Sequence, residues 1–194
     1  MKIALFAAVP EEVGTLSNLT TFTGIGRENA TRKTLQFIES QACKDFTIVN
    51  IGTVGSPNKP VGSILNISQI ISAGEPFNNS PMLLERLPLP ASSIDTGVLY
   101  SSDCFVSPTV FTEEYLEDIK LKADCFDMES SAIYTIANVY GIPFVSYKIV
   151  SDNLDVSIQI WKERVHKLSK RLDVFVRDIF RQLEDIEKIE FIHG

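Results

Sequence analysis

Apolar and polar positions along the chain follow two rhythms. Short β-branched runs alternate with stretches in which apolar residues recur every three or four positions. The run KIALFAAV (2–9) predicts a strand buried on both sides, because it has no polar alternation. TTFTG (20–24) predicts a short strand running into Gly24-Ile25-Gly26, and residues 27–41 a helix. DFTIVNIG (45–52) and SILNISQII (63–71) read as strands, followed by a Gly/Pro/Asn/Ser-rich loop over 73–81. IDTGVLYSS (94–102) is a weaker strand, TEEYLEDIKL (112–121) a short helix and ADCFDM (123–128) a further extended run. A buried helix over 130–140 closes at Gly141 and Pro143, and IPFVSYKIVSD (142–152) predicts another strand. A long helix comes next over about 158–187, with Val165, Leu168, Leu172, Val176, Ile179, Leu183 and Ile186 on one apolar face.

Strands alternating with helices predict an α/β fold around a central, largely parallel sheet, in one domain spanning 1–194. Ligands of such sheets bind beyond the carboxyl ends of the strands. Here the strands run out into PEE, GIG, GTVGS, DCF, ME and SD, so small residues and acids recur at strand ends.

Composition narrows the chemistry. With 44% hydrophobic and 22% charged residues the chain is an ordinary globular one, and no apolar run approaches bilayer length. The opening MKIALFAAVPEEV reads as a first strand rather than a signal peptide, since Pro10-Glu11-Glu12 comes at once. Three cysteines without metal-type spacing predict reduced thiols in a cytoplasmic protein. The two histidines, His166 and His193, have no Cys or His neighbours, so a Ser-His-Asp or zinc-type site is poorly supplied; no metal is expected, and no cofactor. A net charge of −7 argues against a nucleic-acid partner. The chemistry must rest mainly on carboxylates.

Each motif also has a local explanation. GIGREN (24–29) lacks a third glycine at Asn29, so it predicts a tight turn before a helix, with Gly26 at positive φ, rather than a dinucleotide site. In NIGTVGS (50–56), the glycines and Thr53 suit either a small oxygen ligand or a sharp turn. Glu11-Glu12, Asp127 and Glu129 could each mark a helix start, and Asp152 an N-cap. Taken together, acids after three different strands describe a cleft lined by carboxylates. That suits chemistry developing positive charge on a substrate, with glycosidic cleavage through an oxocarbenium-like state as the leading example.

The order MKIALFAAVPEEV, GIGRENA, VNIGTVGS, SDCFV, FDMESSAIY and PFVSYKIVSDNLD resembles the purine nucleoside phosphorylase/nucleosidase superfamily. Within it, the bacterial 5'-methylthioadenosine/S-adenosylhomocysteine nucleosidases are most similar. The match runs from Met1 to about Asp155, and MESSA followed by SDNLD is its specific part. The resemblance implies a three-layer α/β/α sandwich with a central mixed sheet, and hydrolysis of 5'-substituted adenosines to release adenine. It implies Glu12 as general base on water, Glu129 as ribose ligand and Met128 against the sugar face. It further implies Asp152 as general acid at purine N7, oriented by Ser151, with Phe105 stacking on the base and the Val106 backbone at its Watson–Crick edge. Thr53 is a further substrate-side residue.

Phosphorylases of the superfamily place arginines around phosphate, whereas here the first loop is VPEEV and Asn50 stands at the strand position. A phosphate dianion would meet Glu12 without a facing cation, which favours water. A phosphorylase and a non-catalytic nucleoside-binding relative are the alternatives. The chain is shorter than the usual members between 72 and 100, and Lys148 stands where arginine is common. A tolerant 5' pocket is therefore expected, one that would admit aminodeoxyfutalosine as well. The resemblance also implies a homodimer and no membrane partner.

Overall fold

Strand β1 (Lys2–Ala7) shows why the first run lacks polar alternation. Ile3, Leu5 and Ala7 enter one core while Ala4 and Phe6 enter another, so both faces are covered. The computed structural model describes residues 1–73, 82–88, 94–155 and 158–193. In chain order the further elements are β2 (Thr20–Phe22), α1 (Arg27–Ser40), β3 (Thr47–Gly55), β4 (Ile64–Ser72), β5 (Met82–Leu83) and β6 (Asp95–Ser101). Then come α2 (Glu113–Lys120), β7 (Cys125–Asp127), α3 (Ser130–Val139), β8 (Phe144–Asp152), α4 (Ile158–Glu184) and β9 (Glu190–Phe191). The loop expected over 73–81 lies, beyond Ala73, outside the described residues.

The sheet is mixed. β1 pairs in parallel with β2, β3 and β9, and β3 in parallel with β8. β4, β6 and β7 form a second parallel set. Antiparallel pairs join the sets: β8 with β4, and β7 with β3 at Gly55↔Phe126. The five strands β3, β8, β4, β6 and β7 therefore close into a ring, beyond the largely parallel sheet that the alternation predicts. Register shifts at Val54/Gly55 and Ile67/Gln69 supply local bends of the kind that β-bulges give at rims.

Helices cover both faces. Phe37 and Ile38 of α1 and Ile133 and Ala137 of α3 pack on Phe6, Ile48 and Phe144. On the other side, Leu172, Val176, Ile179 and Leu183 of α4 pack on Ile3, Leu5, Val49 and Tyr147. α3 ends as Gly141 predicts: at φ 65 it lets its own N–H reach Asn138 O and the Ile142 N–H reach Ala137 O, a Schellman closure. The far end of α4 differs from expectation. The helix stops at Glu184 and Ile186 is 54% exposed, because a tight turn over 183–187 redirects the chain so that β9 can add to β1.

Candidate functional site

The end of β1 sets the first acid. Pro10 opens a 3-10 turn, Pro10–Glu12, rather than the helix that an acidic pair can begin, and the turn buries Glu12. Glu12 Oε1 accepts from the Thr53 N–H at 2.8 Å and from the Thr53 hydroxyl at 2.6 Å. Its Oε2 is buried and has no partner among the described residues. The oxygen that the GTVG turn receives is therefore a carboxylate of this chain. Gly52 makes that possible, since a Cβ there would stand 3.1 Å from Glu12 Oε2.

Glu129 sits at the start of α3, where its Oε1 accepts from the Gly26 N–H at 2.7 Å. Gly26 has φ 89, as the tight-turn reading expects, but it also serves this contact. Burial pushes the Glu129 carboxyl up to about 8, and the Asp127 charge adds to the push. The Gly26 N–H opposes it, Glu12 reinforces it and Lys148 opposes it.

Asp127 has a different environment. Its carboxylate lies 3.1 Å from Lys148 Nζ, with both side chains almost wholly buried. It also accepts from the Ser130 N–H at 3.2 Å, so the helix-start reading of Asp127 holds and a buried ion pair is added to it. Ser130 Oγ lies between Asp127 and Asn50, whose Oδ1 also accepts from Ser146 Oγ at 3.3 Å. Asn50 is thus part of a buried polar bridge.

Asp152 ends β8 and is 1% exposed. Ser151 Oγ is 2.7 Å from its Oδ2, and the Leu154 N–H donates to Oδ1 at 2.9 Å. Leu154 has φ 64, the left-handed conformation that aims this amide back at the carboxylate. Asp152 is not the N-cap of α4, which begins six residues later at Ile158. Its carboxylate instead closes its own turn.

These acids share one cleft of about 630 Å³ including its open mouth. Glu12, Thr53, Phe105, Val106, Met128, Glu129, Ser151 and Asp152 all line it, together with Asp127. No described lining residue is Lys, Arg or His. Sequence reasoning missed Ile25, Gly55, Phe126, Leu154 and Trp161, which also line it. Trp161 had a usable signal: it stands four residues before Val165 and extends the buried stripe of α4 by one turn.

A family model described as the phosphorylase superfamily matches residues 12–181. The chain belongs to the phosphorylase superfamily. Among curated relatives of this superfamily member, a 5'-methylthioadenosine/S-adenosylhomocysteine nucleosidase of Shewanella oneidensis is 26% identical over 167 residues, covering 72% of this chain and 70% of the relative. A solved 5'-methylthioadenosine/S-adenosylhomocysteine nucleosidase from S. pneumoniae with a transition-state inhibitor has TM-score 0.77 at 16% identity, covering 94% of this chain and 100% of that one. A native futalosine hydrolase of Helicobacter pylori has TM-score 0.74 at 17% identity, covering 93% and 97%. At such identities the structural likeness establishes the fold, a mixed-sheet α/β architecture. Among the described residues no helix is long and apolar enough to cross a membrane.

Proposed function

We propose that this protein is an N-ribosyl hydrolase that releases adenine from 5'-substituted adenosines. The observation that carries the reading is the convergence of Glu12, Glu129 and Asp152 on one cleft whose described lining holds no cation. The activities named for the similar proteins support the substrate class.

In this reading the bond from C1' to purine N9 lengthens and positive charge spreads over C1' and the ring oxygen. The electron pair of that bond moves onto the purine, and Asp152 delivers a proton to N7, so neutral adenine leaves. Glu129 holds the 2'- and 3'-hydroxyls and keeps the ribose in place while the bond breaks. Water adds through oxygen to C1' while Glu12 Oε2, the unpartnered oxygen, takes its proton. Transfer of that proton back to Asp152 restores the starting state. Met128 packs on the sugar, Phe105 stacks on the base, the Val106 backbone meets the purine edge and Ser151 orients Asp152. General acid and general base help are each worth about 10²–10⁴-fold.

Water is favoured over phosphate as the nucleophile. A phosphate dianion beside Glu12 would meet like charge, and Lys148, the nearby buried cation, is held by Asp127. The substrate range we assign is methylthioadenosine, S-adenosylhomocysteine and aminodeoxyfutalosine, acted on by a cytoplasmic homodimer in methionine salvage or menaquinone synthesis. Part of the abbreviated 72–100 segment lies outside the described residues.

The test is adenine release from methylthioadenosine with and without phosphate. Free methylthioribose in both conditions supports hydrolysis, and methylthioribose 1-phosphate would point to the phosphorylase instead. Comparing kcat/KM across the three nucleosides tests the tolerant 5' side. A strong preference for the small methylthio group counts against it.

A further inference from the structure

Trp161, in the first turn of α4, lines the cleft, yet the proposed reaction makes no use of it. Its indole N–H donates to Thr53 Oγ1 at 3.0 Å, and that hydroxyl donates to Glu12 Oε1 at 2.6 Å. We propose that Trp161 is a positioning residue for the water-activating carboxylate, fixing the direction of the Thr53 hydroxyl so that Glu12 takes its proton at Oε2. The inference rests on the nucleosidase reading and deepens it.

Donor direction decides the order of the chain. An indole N–H can only donate, so it occupies a lone pair of Thr53 Oγ1. The threonine proton then points away from the indole, and the acceptor it meets is Glu12 Oε1. The Thr53 backbone N–H donates to the same oxygen at 2.8 Å. Oε1 is thereby held by two donors, while Oε2 is buried and has no partner among the described residues. A proton arriving on Oε1 would displace the threonine hydroxyl from its acceptor; one arriving on Oε2 disturbs nothing. The chain Trp161→Thr53→Glu12 thus runs one way and sorts the two carboxylate oxygens into a held one and a reactive one. A phenylalanine could fill the same wall without imposing that order.

The fold gives this chain a rigid origin. Trp161 lies one turn before Val165, which is 2% exposed, and the same helix packs through Leu172, Val176 and Leu183 on the strands beneath the cleft. The indole is thus carried on a helix rather than on a loop.

The chain contains one tryptophan, so the indole N–H gives a single, assignable nuclear resonance. In the full-length wild type we expect that resonance to move with pH as Glu12 takes up its proton. The movement should be absent in Glu12→Gln and in Thr53→Val. In parallel, pH profiles of adenine release from methylthioadenosine are compared for wild type, Trp161→Phe, Thr53→Ser, Thr53→Val and the Trp161→Phe/Thr53→Val double variant. Trp161→Phe should lower kcat on the order of 10-fold with KM nearly unchanged, and should shift the acid limb of the kcat profile. Thr53→Ser, which keeps the hydroxyl, should recover most of the activity that Thr53→Val loses, and the double variant should be no worse than Thr53→Val, because Trp161 acts through Thr53. A pH-independent indole resonance in wild type, a wild-type profile in Trp161→Phe, or losses that multiply in the double variant each overturn the proposal. A wild type that releases no adenine overturns the nucleosidase reading instead, while the resonance still reports on the hydrogen-bond chain.

Discussion

Glu12 and Glu129 line the same cleft and are the same residue type, but their surroundings treat them differently. Glu12 receives two donors on one oxygen, both from Thr53, and keeps the other oxygen free. Glu129 accepts a strong bond from Gly26 and a long one from Met128 N–H at 3.3 Å, and it lies against the charge of Asp127. The difference suits distinct tasks: Glu12 is arranged to accept a proton, and Glu129 to meet the sugar hydroxyls. Environments that separate two like carboxyl groups are a recurrent way to divide acid–base work.

The sharpest way to break this comparison is to remove one carboxylate charge at a time. Glu12→Gln and Asp152→Asn should each lower kcat about 10²–10⁴-fold, since each deletes one proton-transfer partner. Glu129→Gln should raise KM and lower kcat together, because Glu129 holds the sugar both in the bound substrate and as the bond breaks. Steady-state kinetics beside thermal melting check this. Equal kinetic signatures for Glu12→Gln and Glu129→Gln would remove the division of roles.

The next largest effect concerns the support under Glu129. Lys148→Met leaves Asp127 buried without its cation, a change that typically costs about 3–5 kcal/mol. Urea unfolding should show that loss, and Asp127→Asn in the Lys148→Met background should recover much of it. A cost below about 1 kcal/mol would mean that the pair does not hold the floor of the cleft together.

How much of this was legible in the chain depends on the range of the interaction. The two-sided burial of β1, the face of α4 as far as Leu183 and the Gly141 closure of α3 come from local spacing, and they stand where the pattern puts them. Acids after strands could be read because strand ends are local features. The ring closure was not legible, since the antiparallel pairs Gly55↔Phe126 and Ile64↔Ile149 join segments far apart in sequence. β9 was hidden for the same reason: two residues, Glu190–Phe191, become a strand only because β1 has a free edge there. Gly26 looked like a turn residue because its second task, donating to Glu129, is visible only once position 129 lies beside it.

A smaller effect comes from the raised carboxyl of Glu129. Between about 4.5, its ordinary value, and about 8 the folded chain keeps a proton that the unfolded chain has lost. The folded state binds more protons in that window, so stability falls as pH rises through it and is level outside it. The size is on the order of a few kcal/mol. Urea midpoints for wild type should decline from pH 5 to pH 8 more steeply than those of Glu129→Gln. Parallel slopes would show that Glu129 ionises normally in the folded protein.

The smallest expected effect separates the two glutamates through their glycines. An alanine at Gly52 brings its Cβ to 3.1 Å from Glu12 Oε2, the oxygen assigned to take the proton, so Gly52→Ala should depress kcat by displacing that carboxylate. At Gly26 a Cβ would meet no heavy atom of the described residues within 4 Å, so the cost there is the backbone, at φ 89 and ψ 157 in a region that side-chain-bearing residues avoid. Gly26→Ala should therefore cost about 1–2 kcal/mol of stability while leaving kcat close to wild type. It should raise KM only as far as the turn relaxes and its amide withdraws from Glu129. If Gly26→Ala lowered kcat as much as Gly52→Ala, the amide would be acting on the reacting charge itself, and Glu129 could no longer be separated from Glu12 by how each is held.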